Sequence, residues 1–109
     1  SSRTQQAKIA IEQAKTQLIA AEQALQVQFA KAKSDFDLAV EEFQTAKKSL
    51  DLAERIERKQ QVKFVEGLST SFDYNDAQKQ LYSAQQAFLQ TMSDIINKRS
   101  ALERVISSN

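Results

Sequence analysis

Cysteine, proline, histidine and tryptophan are all absent from the 109 residues, and glycine occurs once, at Gly67. Without cysteine there are no disulfides, thiolate metal sites or thiol nucleophiles. Without histidine the most versatile general base and metal ligand near neutral pH is missing as well. That excludes Ser–His and Cys–His pairs, and a single glycine cannot build a phosphate-cradling loop. A non-enzymatic protein is expected, with no cofactor and no metal. The lack of proline and near lack of glycine leave few ways to turn the chain, so its elements must be few and long. No apolar run approaches the roughly 20 residues of a membrane-spanning helix, and the chain does not start with a charged-then-apolar leader. Lys and Arg number 15 against 14 Asp and Glu, a net charge of +1, so no basic stripe points to nucleic acid. Beginning at Ser1-Ser2-Arg3 without Met, the chain reads as a processed or excised segment of something larger.

What is present is helix-forming. Ala, Gln, Leu, Lys, Glu and Ser dominate, and the β-branched and aromatic residues that strands favour are sparse. From Gln5 to Val65 one apolar stripe runs through Ile11, Ala14, Leu18, Ala21, Leu25, Phe29, Ala32, Phe36, Ala39, Phe43, Ala46, Leu50 and Ala53. Its steps of three and four residues put these side chains on one face of one helix, at the spacing of a coiled-coil seam. Ala alternates with large residues, so two helices can approach closely at the Ala levels while Leu and Phe interdigitate between them. Two successive four-residue steps around Leu25 shift the local period toward 3.6, which should straighten the seam there. A rod of some 60 residues, about 90 Å long, needs a partner along its length.

The chain supplies one. Gly67 suits the left-handed residue just past a helix end, with Leu68 placed to pack back on Val62 or Lys63 in a Schellman-type stop. Ser69, Thr70 and Ser71 offer N-cap oxygens, and Asp73 and Asp76 put negative charge in the first turn of a second helix. That helix repeats the pattern with Ala77, Leu81, Ala84, Phe88, Met92, Ile95, Leu102 and Val105. The expected fold is all-α: one long antiparallel coiled-coil hairpin over residues 1–109, with a first helix at about 4–66, a tip turn at 67–71 and a second helix at about 72–106. The arms are unequal. The second covers the first back to about residue 28 to 30, leaving Ile11, Leu18 and Leu25 for another helix or, in the isolated chain, for a second copy; self-association is expected.

Asp73 and Asp76, three apart, share a helix face beside the turn. In one reading they are helix-start charges that also pair across the arms, Asp73 with Lys63 and Asp76 with Lys59, at about 0 to 1 kcal/mol per exposed pair. In the other they form an acidic ring at a pore mouth, where several copies focus field on passing cations. Spacing alone leaves both open. In the charge run from Asp51 to Lys59, the acid-first pairs Asp51–Arg55 and Glu54–Arg58 are expected to support the helix on a solvated face. Phe29, Phe36, Phe43 and Phe88 read as seam residues. Tyr74 and Tyr82 are expected at seam edges with their hydroxyls in solvent.

The stretch from Lys63 to Gln78, KFVEGLSTSFDYNDAQ, resembles the tip of the second long hairpin in TolC-type outer-membrane efflux proteins. The shared pattern is a basic residue, an aromatic, two variable positions, glycine, a Ser/Thr-rich turn, a helix start with an apolar residue and Asp, and Ala-Gln. The likeness continues through Leu81–Phe88 and Lys98–Glu103, and Ser2–Ile9 is similar to the point where a strand hands over to the long helix. The resemblance implies a homotrimer in the cell outer membrane, for efflux or type I secretion, with this segment in a periplasmic α-barrel. It also implies that the tip meets a periplasmic adaptor (membrane fusion) protein bound to an inner-membrane pump. Transferred by position, Gly67, Leu68 and Ser69 fall in the turn an adaptor touches, Asp73 and Asp76 where the family places constriction acids, and Phe64 at an aromatic tip site often held by tyrosine. The unequal arms fit too, since in the family one long helix is partnered by two stacked shorter ones. Two rival readings are a generic coiled-coil interaction module and the hairpin of a periplasmic adaptor, whose Arg and Leu tip signature is not found.

Overall fold

The computed structural model describes residues 1–108. They form two α-helices, α1 (Ser2–Val65) and α2 (Ser71–Ser107), folded back on each other into a rod of 98 × 19 × 13 Å. At 1.5 Å per residue, the 64 residues of α1 alone account for the length. Ser1 starts α1 by accepting from the Thr4 N–H at 3.3 Å, and Thr70 starts α2 by accepting from the Asp73 N–H at 3.0 Å. Each cap satisfies a backbone donor that has no partner inside its helix. Among the described residues there is no strand, and no helix is long and apolar enough to cross a membrane.

Two helices can bury only the facing stripe of each, so the core is a line. Ala39 and Ala77, each 5% exposed, are the only fully buried residues among those described. Around them Ala32, Phe36, Phe43, Ala46, Leu50 and Ala53 of α1 and Leu81, Ala84, Phe88, Ile95, Leu102 and Val105 of α2 are half-buried. Alanine is the buried residue because its small side chain marks the levels where the backbones come nearest. Phe43 and Phe88 meet across the seam with ring centroids 5.1 Å apart, tilted at 33°.

The structure corrects several details of the sequence reading. Met92 is 42% exposed, and the seam position belongs to Thr91, half-buried with its hydroxyl donating to the Phe88 carbonyl at 2.7 Å. The stripe of α1 continues past Ala53 through half-buried Glu57 and Gln60, keeping steps of four and three. A search for apolar residues passes over such positions because their side chains are polar, although the backbone period places them on the seam. At the other end Leu25 is half-buried and every residue before it is exposed, so cover reaches a turn further than residues 28 to 30.

The ion pairs also differ. Those among the described residues are Lys31–Asp35 at 2.7 Å, Lys33–Asp37 at 3.0 Å and Arg99–Glu103 at 3.1 Å. All lie within one helix at a spacing of four, with the base first. The expected pairs Asp51–Arg55 and Glu54–Arg58, and the cross-arm pairs Lys63–Asp73 and Lys59–Asp76, are not among them. An exposed pair gains too little to hold two long side chains in one geometry, so which pairs close is decided by rotamers and not by spacing. Lys31's hydrogen bond holds the Asp35 carboxyl below the usual carboxylate range. Desolvation opposes this, and the charges of Lys31 and Lys98 on the opposite arm reinforce it.

Candidate functional site: the hairpin tip

The turn is built from backbone hydrogen bonds that only a left-handed residue can complete. Glu66 ends α1, and Gly67 follows with φ of 73°. The Gly67 N–H donates to the Phe64 carbonyl at 3.1 Å and the Leu68 N–H to the Lys63 carbonyl at 2.7 Å. This is the Schellman pattern, which gives two otherwise unpartnered carbonyls of the last turn a donor each. Lys63 lies in that last turn, where the helix dipole favours a cation. The apolar clasp that often accompanies the motif does not close: Leu68 is 72% exposed and Val62 56% exposed.

Three side-chain contacts then tie the turn and the start of α2 to α1. The Ser69 hydroxyl donates to Gln60 Oε1 at 2.7 Å. Phe64 stacks on Tyr74, with centroids 5.3 Å apart and planes 29° from parallel. The Tyr74 hydroxyl donates to Glu57 Oε1 at 3.4 Å, a long bond. Tyr74 is half-buried, which corrects the expectation of a solvent-facing hydroxyl; Tyr82, 64% exposed, does sit in solvent. Glu57 and Gln60 were not singled out as tip residues in the sequence. The signal that finds them is the seam's own period, which steps from Ala53 to Glu57, Gln60 and Phe64 by four, three and four residues.

Asp73 and Asp76 are exposed and line one shallow groove between the arms, shared with Ile56 and Gln60 of α1 and with Ala77 and Gln80 of α2. Their carboxylates have no cationic partner within ion-pair distance among the described residues, so the pair stands as net negative charge on one face of the tip. Leu68 and Phe72, 72% and 76% exposed, flank it as an apolar cap. Of the six residues singled out from the sequence, Asp73 and Asp76 share the groove, Phe64 stacks on the opposite arm, Ser69 ties the turn back to α1, Gly67 forms the turn and Leu68 is exposed beside it. The described residues hold no cluster of carboxylates arranged to bind a metal ion.

No curated protein and no solved structure matches the chain. A family model does, that of the outer membrane efflux protein, and it matches residues 1–108. The match runs through both arms and the tip, and it meets a 98 Å helical hairpin whose turn carries the glycine, hydroxyl and acid pattern described above. The chain belongs to the outer membrane efflux protein family.

Proposed function

We propose that this hairpin is part of the periplasmic α-helical wall of a trimeric outer-membrane channel for efflux or type I secretion, with its tip at the gated entrance. The observation that carries the reading is the tip itself: two exposed, unpaired carboxylates on one face, beside an apolar cap of Leu68 and Phe72. In a trimer, Asp73 and Asp76 form an acidic ring that concentrates cations at the constriction. Gly67, Leu68 and Ser69, with Phe64 behind them, form the surface that a periplasmic adaptor bound to an inner-membrane pump would contact. The family match over 1–108 supports this reading over a generic coiled-coil module and over an adaptor hairpin.

The contacts within the tip suggest how such a gate moves. Phe64 on Tyr74, and Ser69 on Gln60, tie the end of α1 to the start of α2, so the tip travels as one body. Opening then means shifting whole hairpins past one another, as in an iris. The test is conductance of a channel carrying this hairpin in a planar bilayer, with Asp73 and Asp76 both replaced by Ala. Block by multivalent cations from the periplasmic side should weaken markedly. Unchanged block would remove the acid pair from the constriction.

A further inference from the structure

The groove beside Asp73 and Asp76 does not end with them. It runs on between the arms, lined by small side chains, Ala77, Ser83, Ala84 and Ala87 of α2 and Ser49 and Ala53 of α1. Leu52 and Ile56, 51% and 44% exposed, give it an apolar wall. Its volume is about 580 Å³, within the range of small-molecule sites. Its charge lies at one end only. From Ala77 to Ala87, a stretch about 15 Å long, α2 has no acid, and the next one after Asp76 is Asp94, ~27 Å further along the helix.

We propose that this groove binds a linear cationic amphiphile, its ammonium at Asp73 and Asp76 and its apolar tail along Leu52, Ile56, Ala84 and Ala87. Charge complementarity selects the head. The two carboxylates have no cationic partner within ion-pair distance among the described residues, and an organic ammonium supplies one. A divalent metal ion matches less well, because no third acidic ligand joins the pair and a hard cation takes six or more oxygens. The lining selects the tail. A polyamine would set its further charges over alanine and leucine, desolvated and far from any carboxylate. An alkyl chain laid there removes apolar surface from water on both sides. The site lies within a single hairpin, so it goes beyond the channel reading and does not depend on it.

Titration of the isotope-labelled 109-residue chain with dodecylammonium chloride, kept below its micelle concentration and followed by amide and methyl NMR shifts, tests the site. Saturable shifts are expected at Leu52, Ile56, Asp73, Ala77 and Ala84. Asp73→Asn with Asp76→Asn should weaken binding about tenfold, the effect of losing two exposed charge contacts. Ala87→Phe, at an exposed position, should weaken it about fourfold by keeping one methylene of the tail in water. Dodecanoate and spermine should each bind at least about tenfold more weakly than dodecylammonium. Tyr82, Leu89 and Ile96, 64, 56 and 62% exposed, lie on another face of α2 and serve as the control for adsorption to any apolar surface. Shifts centred on those three, equal binding of dodecanoate or spermine, or an unchanged affinity in the double Asn variant would each overturn the proposal. Any of these results leaves the channel reading standing, because that reading is tested by cation block.

Discussion

Gly67→Ala isolates the energetics of the turn. Gly67 has φ of 73°, a left-handed conformation that costs an L-residue about 1 to 2 kcal/mol. A Cβ built there meets nothing within 4 Å, so the strain is purely local to the backbone, with no collision to add. Against it, alanine has less freedom than glycine in the unfolded chain, which returns about 0.4 to 1 kcal/mol. The net loss is about 1 kcal/mol, equivalent to a fall in melting temperature of about 4 °C for a domain of this size. Gly67→Asn should lose less, because asparagine tolerates the left-handed region. Thermal and urea unfolding followed by far-ultraviolet circular dichroism, at one fixed protein concentration because association would shift the midpoint, measures both. An alanine variant as stable as the parent, or an asparagine variant no better than alanine, would mean that the turn is not held by the Gly67 conformation.

Other perturbations probe the arms separately. Ala39→Leu and Ala77→Leu enlarge the two positions that are 5% exposed; each should cost about 1 to 3 kcal/mol in urea unfolding by forcing the helices apart. Phe88→Ala removes one ring of the 5.1 Å pair and should cost about 2 kcal/mol, below the range for fully buried aromatics because the site is half-exposed. Tyr74→Phe keeps the stack on Phe64 but deletes the 3.4 Å bond to Glu57; global stability should fall by less than about 1 kcal/mol, while amide exchange at Gly67 and Leu68 quickens. Asp35→Asn tests acid sensitivity. Because the folded-state pKa of Asp35 is lowered, chiefly by Lys31, its stabilisation is present above the ordinary aspartate pKa and is lost as pH falls through the folded value. The variant should therefore show a flatter loss of stability at the acid end of that range.

The all-α class and the hairpin were legible because composition and period agree: one glycine, no proline, and two stripes whose three- and four-residue steps leave no alternative to helices. What escaped was polar chemistry on the seam. Thr91, Glu57 and Gln60 hold positions that the period assigns, yet an apolar search rejects them. Tyr74 was placed in solvent because its partner, Glu57, lies 17 residues away on the other arm, and the pairing appears only once the turn is folded. The salt bridges failed in the opposite way. Spacing proposed Asp51–Arg55, Glu54–Arg58 and two cross-arm pairs, but exposed pairs differ by amounts near thermal energy, below what residue spacing can resolve. Asp73 and Asp76 were legible as a pair beside the turn. Their freedom from Lys63 and Lys59 was not, because that depends on where flexible lysine side chains settle.

The seam also grades along its length, and the gradient bears on function. Between Leu25 and Ala53 the contacts are Ala, Phe and Leu, whose burial from water gives a stable shaft. From Glu57 to Tyr74 the same positions carry a carboxylate, an amide and a phenol, joined by two side-chain hydrogen bonds and one ring stack. Each of those bonds contributes about 1 kcal/mol at most, and water competes for them. The tip is therefore held less by burial than by the cap at Thr70 and the left-handed Gly67, devices that fix its shape without covering its surface. An apolar seam carried to the end would have stabilised the tip further. With polar residues at these positions, Asp73 and Asp76 line a shallow groove between the arms and remain exposed.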